Sequence, residues 1–146
     1  MNNNIFATLV LEQNPAYVDE LEAKYNIQLP PIFKAFVQTF EFGKFNPSPQ
    51  HKIIHPNKEL GYNGFEHSLE KKIKIYNDPD FEYKDLSILP IIPSGIYQYG
   101  ICVGLEKEKK DAIYLYVDGA SEILRLIAPN VLQFISEFKE IHWDNF

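Results

Sequence analysis

The spacing of apolar residues predicts helices in the first half of the chain. Tyr17, Leu21 and Tyr25 recur four residues apart, which places them on one face of a short amphipathic helix. Asn14 is a suitable N-terminal cap, and Pro15 suits the first helical position because its fixed φ matches the helix. The pattern therefore predicts a first helix that begins at Asn14-Pro15.

A second helix is predicted after Leu29-Pro30-Pro31, because proline ends one helix and is tolerated in the first turn of the next. Gly43 stands where a C-terminal cap of this helix belongs. A third helix is expected from Phe65 to Tyr76, and between the two only Lys52–His55 has the character of a strand. The buried stripe of the second helix is Ile32, Phe33, Phe36, Val37 and Phe40.

Short runs rich in Ile, Val, Leu and Tyr follow from residue 86 to 127, and the turn residues between them predict an antiparallel sheet. The charged segment Glu106–Asp111 is expected to be a hairpin loop, and Asp118-Gly119 is a strong turn signal before the last strand. The predicted strands are Ile88–Ile92, Tyr97–Leu105, Ala112–Val117 and Glu122–Ile127.

A closing helix is predicted from Asn130 to about Ile141, where Asn130 and Gln133 have the spacing of a capping box. Helices first, then an antiparallel sheet of about four to six strands, then a helix packed on one face of it, indicate an α+β fold. A chain of 146 residues has the length of one domain, so we expect a single domain over residues 1–146.

The two faces of the strand predicted at Tyr97–Leu105 differ in side-chain size. One face carries only large residues. The other face carries Gln98, Gly100, Cys102 and Gly104. Opposed residues of an antiparallel pair share a face, so Tyr114 and Tyr116 should lie on the side of the small residues, away from the helices. Their rings either shield weak strand positions or, with Gln98, form a surface that binds a partner, since tyrosine is enriched at interface hot spots.

The charge of the chain excludes one class of partner. Lys and Arg total 14 against 20 Asp and Glu, so the net charge is −6, and Arg125 is the one arginine. A nucleic-acid binder needs a basic footprint and relies on arginine to read bases. We therefore expect no nucleic-acid ligand and a basic protein as the favoured partner.

The cellular location is predicted from three absences in the sequence. Cys102 is the single cysteine, which excludes an internal disulfide framework and suits a reducing compartment. The residues after Met1 lack the basic and apolar regions of a signal peptide, and no apolar run approaches the roughly 20 residues that span a membrane. We expect a cytoplasmic protein without a membrane partner.

Sequence motifs for catalysis, cofactors and metals are lacking. Ser94 lies in Pro-Ser-Gly and misses the G-x-S-x-G pattern of a nucleophile elbow. His51 and His55 are four residues apart, but flanking prolines argue against the helix that would bring them together. No glycine-rich phosphate loop occurs. The chain is therefore expected to be no enzyme and to hold neither cofactor nor metal.

An acidic segment is a second candidate for partner binding. Asp78, Asp80, Glu82 and Asp85 place four carboxylates within eight residues. The spacing fails the calcium-loop pattern because Pro79 interrupts it and no glycine follows. The segment is either a solvated loop or a docking patch for a basic partner, with a metal site as a third alternative.

The order of short motifs over residues 15 to 138 is as informative as any single residue. The motifs are Glu20-Leu21-Glu22, Ile27-Gln28-Leu29-Pro30, Phe33-Lys34-Ala35-Phe36 with Gly43, Leu89-Pro90-Ile91-Ile92, Ile113-Tyr114 and Val131-Leu132-Gln133-Phe134-Ile135. This order resembles the SUKH superfamily, which is named after a yeast regulator of cell-wall glucan synthesis.

The resemblance implies an α+β domain without an enzyme active site. It also implies one of two functions. Bacterial members resemble immunity proteins that neutralise a cognate toxin, often a nuclease or deaminase. Fungal members are linked to the control of cell-wall synthesis through protein contacts. Many members carry acidic residues around the glycines of the central strand, whereas Gly95–Gly104 contains none. In this chain that role is absent or has moved to the segment from Asp78 to Asp85.

The first hypothesis is a non-enzymatic immunity protein that blocks a basic toxin domain by direct binding. It combines the resemblance with the net charge of −6. The alternative is a regulatory or scaffold protein linked to cell-wall glucan synthesis. The candidate partner-binding residues are Tyr114, Tyr116, Gln98, Asp78, Asp80, Glu82 and Asp85.

Overall fold

The computed structural model of the protein describes residues 9–42, 52–55, 58–61, 68–80, 86–92, 99–117, 124–137 and 140–142. The helices within them are α1 (Tyr17–Tyr25), α2 (Pro31–Thr39), α3 (Leu69–Asn77) and α4 (Val131–Glu137). The strands are β1 (Lys52–His55), β2 (Lys58–Gly61), β3 (Ile88–Ile92), β4 (Tyr99–Gly104), β5 (Ile113–Val117), β6 (Leu124–Ala128) and β7 (Glu140–His142). A 3-10 turn at Lys107–Lys109 lies between β4 and β5.

The main sheet has four antiparallel strands in the order β3-β4-β5-β6, which confirms the predicted α+β class. Cys102 lies opposite Tyr114, and Gly100 lies opposite Tyr116, so the predicted pairing of small residues with tyrosines is correct. Register shifts interrupt β3 next to Pro90 and β6 next to Tyr114, where one strand carries an extra residue.

The hydrophobic core lies between this sheet and the helices. We call the side of the sheet that packs on the helices the helix face. It contributes buried aliphatic residues such as Ile101, Val103 and Leu115. The helices contribute the apolar stripes that their spacing predicts, including Phe33, Phe36 and Val37 of α2, Ile73 of α3, and Phe134 and Ile135 of α4.

Helices α1 and α3 begin later than predicted. Asn14 and Pro15 form a turn whose carbonyls accept hydrogen bonds from Tyr17 and Val18, so the expectation of a helix from Asn14 is wrong and α1 begins at Tyr17. Helix α3 begins at Leu69 because the extended Ser68 is its cap: the Ser68 hydroxyl accepts a 3.2 Å hydrogen bond from the Lys71 amide. The predicted start at Phe65 lies outside the described residues.

The cap of α4 is confirmed, but its predicted length is wrong. The Asn130 side chain accepts a 2.9 Å hydrogen bond from the Gln133 amide, as the capping-box spacing predicts. The helix ends at Glu137, and Ile141 belongs to β7, which pairs in parallel with β1. Ile141 fits the apolar period of a helix and also that of a short strand, so the local sequence does not distinguish the two structures. The pairing with β1 decides for the strand.

A second sheet was missed by the sequence analysis. Its order is β2-β1-β7, and it contains the predicted strand Lys52–His55 as its central member. Strand β2 is short and lies between prolines and glycines, which indicate loop rather than strand. Pairing with a neighbouring strand overrides that weak local signal.

Helix α2 ends before its predicted cap, and Phe40, the last residue of the predicted stripe, lies outside the helix. Thr39 is its last residue, and the following Phe40 is extended while its amide still donates 2.9 Å to the Phe36 carbonyl. The cap is therefore Phe40, and the prediction of a cap at Gly43, a residue outside the described ranges, is wrong. None of the helices in the described part of the chain has the length and apolar character needed to cross a membrane.

Candidate functional site

The candidate site is the side of the main sheet turned away from the helices, which we call the outer face. One row of directly opposed residues crosses all four strands of this face: Pro90, Cys102, Tyr114 and Leu126. A second row places Gly100 opposite Tyr116 and Tyr116 opposite Leu124. The register therefore brings both predicted tyrosines to the outer face, although of Tyr116 only the backbone is described.

A small hydrophobic cluster, separate from the main core, lies on the outer face. Ile88 and Cys102 are fully buried there, with the partly buried Leu86 and Tyr114 packed against them. Burial raises the pKa of the Cys102 thiol far above its ordinary value, so the group stays a neutral, inert thiol. Tyr114 thus covers a small strand residue, which is one of the two predicted roles of the rings.

The same row exposes apolar surface beside this cluster. Leu126 lies directly opposite Tyr114 on the edge strand β6, and 61% of its surface is exposed. Partial burial raises the pKa of the Tyr114 hydroxyl, and the neighbouring Cys102 and Glu108 raise it further. Tyrosine is enriched at interface hot spots, so the partly exposed Tyr114 beside exposed apolar surface is the candidate contact for a protein partner.

Leu126 is a candidate that the sequence analysis missed. The predicted strand Glu122–Ile127 contained it, but the register shift in β6 had to be known before its neighbour could be named. Once the register is given, the opposed pair Tyr114 and Leu126 identifies the exposed part of the outer face.

The close approach of the hairpin turn, and not of a tyrosine ring, explains why a glycine stands at position 104. A Cβ at Gly104 would lie 2.7 Å from the carbonyl carbon of Lys109 and closer still to its oxygen. The turn after β4 therefore folds back onto the outer face at this point. There the Lys109 ammonium donates a 3.1 Å hydrogen bond to the Leu86 carbonyl. The floor of small residues under the tyrosines consequently ends at Cys102, and the expectation that it reaches Gly104 is wrong.

Asp111, predicted as part of a charged loop, is a buried cap of a distant helix. Its carboxylate accepts hydrogen bonds from the amides of Ile32 (3.2 Å) and Phe33 (2.8 Å) in the first turn of α2. Pro30, the residue at the cap position of α2, supplies no side-chain hydrogen bond of its own. The hairpin therefore contacts both sides of the sheet: Lys109 covers the outer face, and Asp111 holds the helix layer.

The acidic candidate segment is described only at its beginning. Asp78 and Asp80 are exposed just after α3, and a carboxylate oxygen of Asp78 accepts a 2.9 Å hydrogen bond from the Asp80 amide. Glu82, Asp85 and also Gln98 lie outside the described residues. Within the described part of the chain no group of three or more His, Cys, Asp and Glu side chains is placed to hold a metal ion.

Comparison with known proteins places these features in a family. The model of the SMI1 / KNR4 family (SUKH-1) matches residues 14–137, which include every helix of the described structure and all four strands of the main sheet. No curated protein and no solved structure matches the chain.

Proposed function

Since this chain belongs to the SMI1 / KNR4 family (SUKH-1), we propose that it is a non-enzymatic immunity protein that neutralises a cognate bacterial toxin by direct binding. The toxin is a nuclease or a deaminase, as the resemblance implies. The family match over residues 14–137 is the observation that carries the proposal.

The outer face supplies the surface for such binding. Tyr114 and Leu126 lie side by side on β5 and β6, partly and largely exposed, on a side of the sheet that the described helices leave open. Interface energy concentrates in a few such anchors, surrounded by contacts that exclude water. The surface therefore suits tight binding of one partner, which the bound immunity protein would block sterically.

Charge favours a basic partner. The net charge is −6, and Asp78 and Asp80 are exposed. Opposite charges speed the encounter of two proteins more than they strengthen the final complex. An acidic immunity protein would thus capture a basic nuclease quickly, before it acts.

The direct test is co-expression in bacterial cells with a nuclease or deaminase toxin domain, which the proposal expects to be encoded directly beside this gene. The wild-type chain should protect the cells, and Leu126→Asp should abolish protection and weaken binding about 30-fold or more, which corresponds to a hot spot of about 2 kcal/mol. Leu132→Asp is the matched control, because Leu132 is also exposed (45% against 61%) but lies on α4.

Two results would contradict the proposal in different ways. Full affinity in a folded Leu126→Asp protein would remove the outer face from the interface. Failure of the wild-type chain to bind the toxin would reject the immunity function, and weak binding to several proteins of cell-wall glucan synthesis would favour a regulatory scaffold.

The acidic segment has its own test. Replacement of Asp78, Asp80 and Asp85 by Asn and of Glu82 by Gln should slow association with the toxin and flatten its salt dependence, because exposed charges are screened beyond about 8 Å at physiological ionic strength. An unchanged on-rate in stopped-flow measurements would exclude this segment from partner capture.

A further inference from the structure

A cleft of about 250 Å³ opens at the end of the molecule where α1 and α3 terminate. One wall is the segment Asn26–Pro31 between α1 and α2, and the other is formed by Leu105, Glu106, Lys107 and Lys110 of the β4–β5 hairpin. Tyr76 of α3 lies between the walls. The cleft contains neither Tyr114 nor Leu126, so it is separate from the outer face.

The floor of the cleft is apolar, and its rim carries two lysines and one glutamate, Glu106. Leu29, Pro30 and Leu105 are buried, whereas Lys107 and Lys110 are exposed. Among the described residues neither ammonium group has an ion-pair partner, whereas Lys24 and Lys34 do. The two lysines outnumber Glu106, so the rim has a net positive charge on a chain of net charge −6.

Both walls are held in place before any ligand arrives. Asn26 and Lys107 adopt left-handed backbone conformations, with φ of 51° and 54°. The Glu22 carboxylate accepts a 2.8 Å hydrogen bond from the Leu29 amide, and Asp111 ties the end of the hairpin to α2. Unusual backbone conformations that the surroundings enforce cluster at binding sites, and rigid walls lower the entropic cost of binding.

The volume limits what the cleft can hold. Sites for drug-sized ligands and cofactors measure about 300–1,000 Å³, so this cleft is smaller than such a site. One large apolar side chain fits a recess of this size. A carboxylate next to that side chain would reach the rim, where charge complementarity with Lys107 and Lys110 favours it.

We propose that this cleft binds a peptide segment of a protein partner that presents a large apolar side chain next to a carboxylate. The apolar side chain enters the recess over Leu29 and Leu105, and the carboxylate pairs with Lys107 and Lys110. The contact is separate from the outer face and does not depend on whether the partner is a toxin.

The test uses N-acetylphenylalanine as the probe and its uncharged amide as the matched ligand. Titration into the ¹⁵N-labelled full chain should shift the amide signals of Gln28, Leu105 and Lys107. The amide should bind about fivefold more weakly, which is the scale of an exposed ion pair.

Variants assign the charge preference to the rim. Lys107→Gln with Lys110→Gln should bind acid and amide equally, whereas Lys71→Gln with Lys74→Gln, on the exposed side of α3, should keep the preference. Equal affinity of the wild-type chain for both ligands, or signal shifts outside the cleft, would overturn the proposal. The comparison of acid and amide binding to the wild-type chain tests the proposal even if the rim variant fails to fold. This measurement is independent of the co-expression test.

Discussion

The helix face and the outer face of the main sheet belong to the same strands but are covered in different ways. On the helix face, Val103 and Leu115 are fully buried in one core cluster that also contains residues of α2, α3 and α4. On the outer face, Ile88 and Cys102 form a small separate cluster, against which Leu86 and Tyr114 pack. The helix face therefore belongs to the large core, whereas the outer face has a small buried cluster next to the exposed Leu126.

This difference separates stability from recognition. A residue of the helix face contacts many neighbours, so a substitution there disturbs the whole core. An exposed residue of the outer face, such as Leu126, contacts few, so its substitution changes binding while the fold persists.

Phe36→Ala is expected to have the largest effect. Phe36 is 3% exposed, and its ring lies 5.3 Å from that of Phe40, so truncation opens a cavity in the core. The loss should be about 3–5 kcal/mol in the free energy of unfolding, measured by urea denaturation, out of about 5–15 kcal/mol for a typical domain. Leu126→Ala on the outer face is the comparison and should stay within about 0.5 kcal/mol. A loss below about 1 kcal/mol for Phe36→Ala would contradict the assignment of the two faces.

Asp111→Ala tests the hairpin that contacts both faces. It removes the acceptor of two amide groups in the first turn of α2 and places alanine at a φ of 69°, so we expect a loss of about 2 kcal/mol in the same measurement. Asp111→Asn keeps one oxygen acceptor and tolerates the left-handed backbone, so it should lose less. Equal losses in the two variants would show that the cap contributes little.

Tyr114→Ala tests whether the Tyr114 ring shields Cys102 on the outer face. Removal of the ring should cost about 1 kcal/mol and expose Cys102, whose thiol should then react faster with iodoacetamide under native conditions. Tyr114→Phe keeps the ring and should leave the labelling rate unchanged. If Cys102 stays unreactive in folded Tyr114→Ala, another group covers it.

The smallest effect is expected at a polar link between two helices, away from both faces of the sheet. Glu70 of α3 accepts hydrogen bonds from Tyr25 (2.6 Å) and Lys24 (2.9 Å) at the end of α1. The hydrogen bond from Tyr25, followed by that from Lys24, lowers the pKa of Glu70 below its ordinary value of 4.5. Its contribution to stability is therefore present above pH 4.5 and is lost as the pH falls through the lowered pKa.

The measurement is the thermal midpoint of unfolding from pH 7 to pH 3. Wild type should lose slightly more than Glu70→Gln across the acidic range, because the variant lacks the titrating carboxylate. Parallel curves for the two proteins would show that the link between α1 and α3 does not stabilise the fold.

The helices and strands around the main sheet were predictable because the apolar residues of each follow the period of a helix or a strand. The stripe from Ile32 to Phe40 and the alternation in β4 and β5 state which side of each element is apolar, and burial follows directly. The register of Tyr114 with Cys102 was predictable for the same reason, since a slip by one residue would turn the aliphatic residues away from the core. The cap of α3 also has a local sequence signal, because serine is a favoured residue at the N-terminal cap.

Contacts between distant residues were decided by the tertiary structure. The parallel pairing of β7 with β1, the Asp111 carboxylate at the start of α2 and the hairpin turn against Gly104 each join segments whose meeting no local pattern encodes. The cleft beside Lys107 arises in the same way, because its walls come from opposite halves of the chain. The sequence alone determined which faces are apolar, since that depends on neighbours a few residues apart. The caps, the turn over the sheet and the cleft depend on how the assembled elements meet in space.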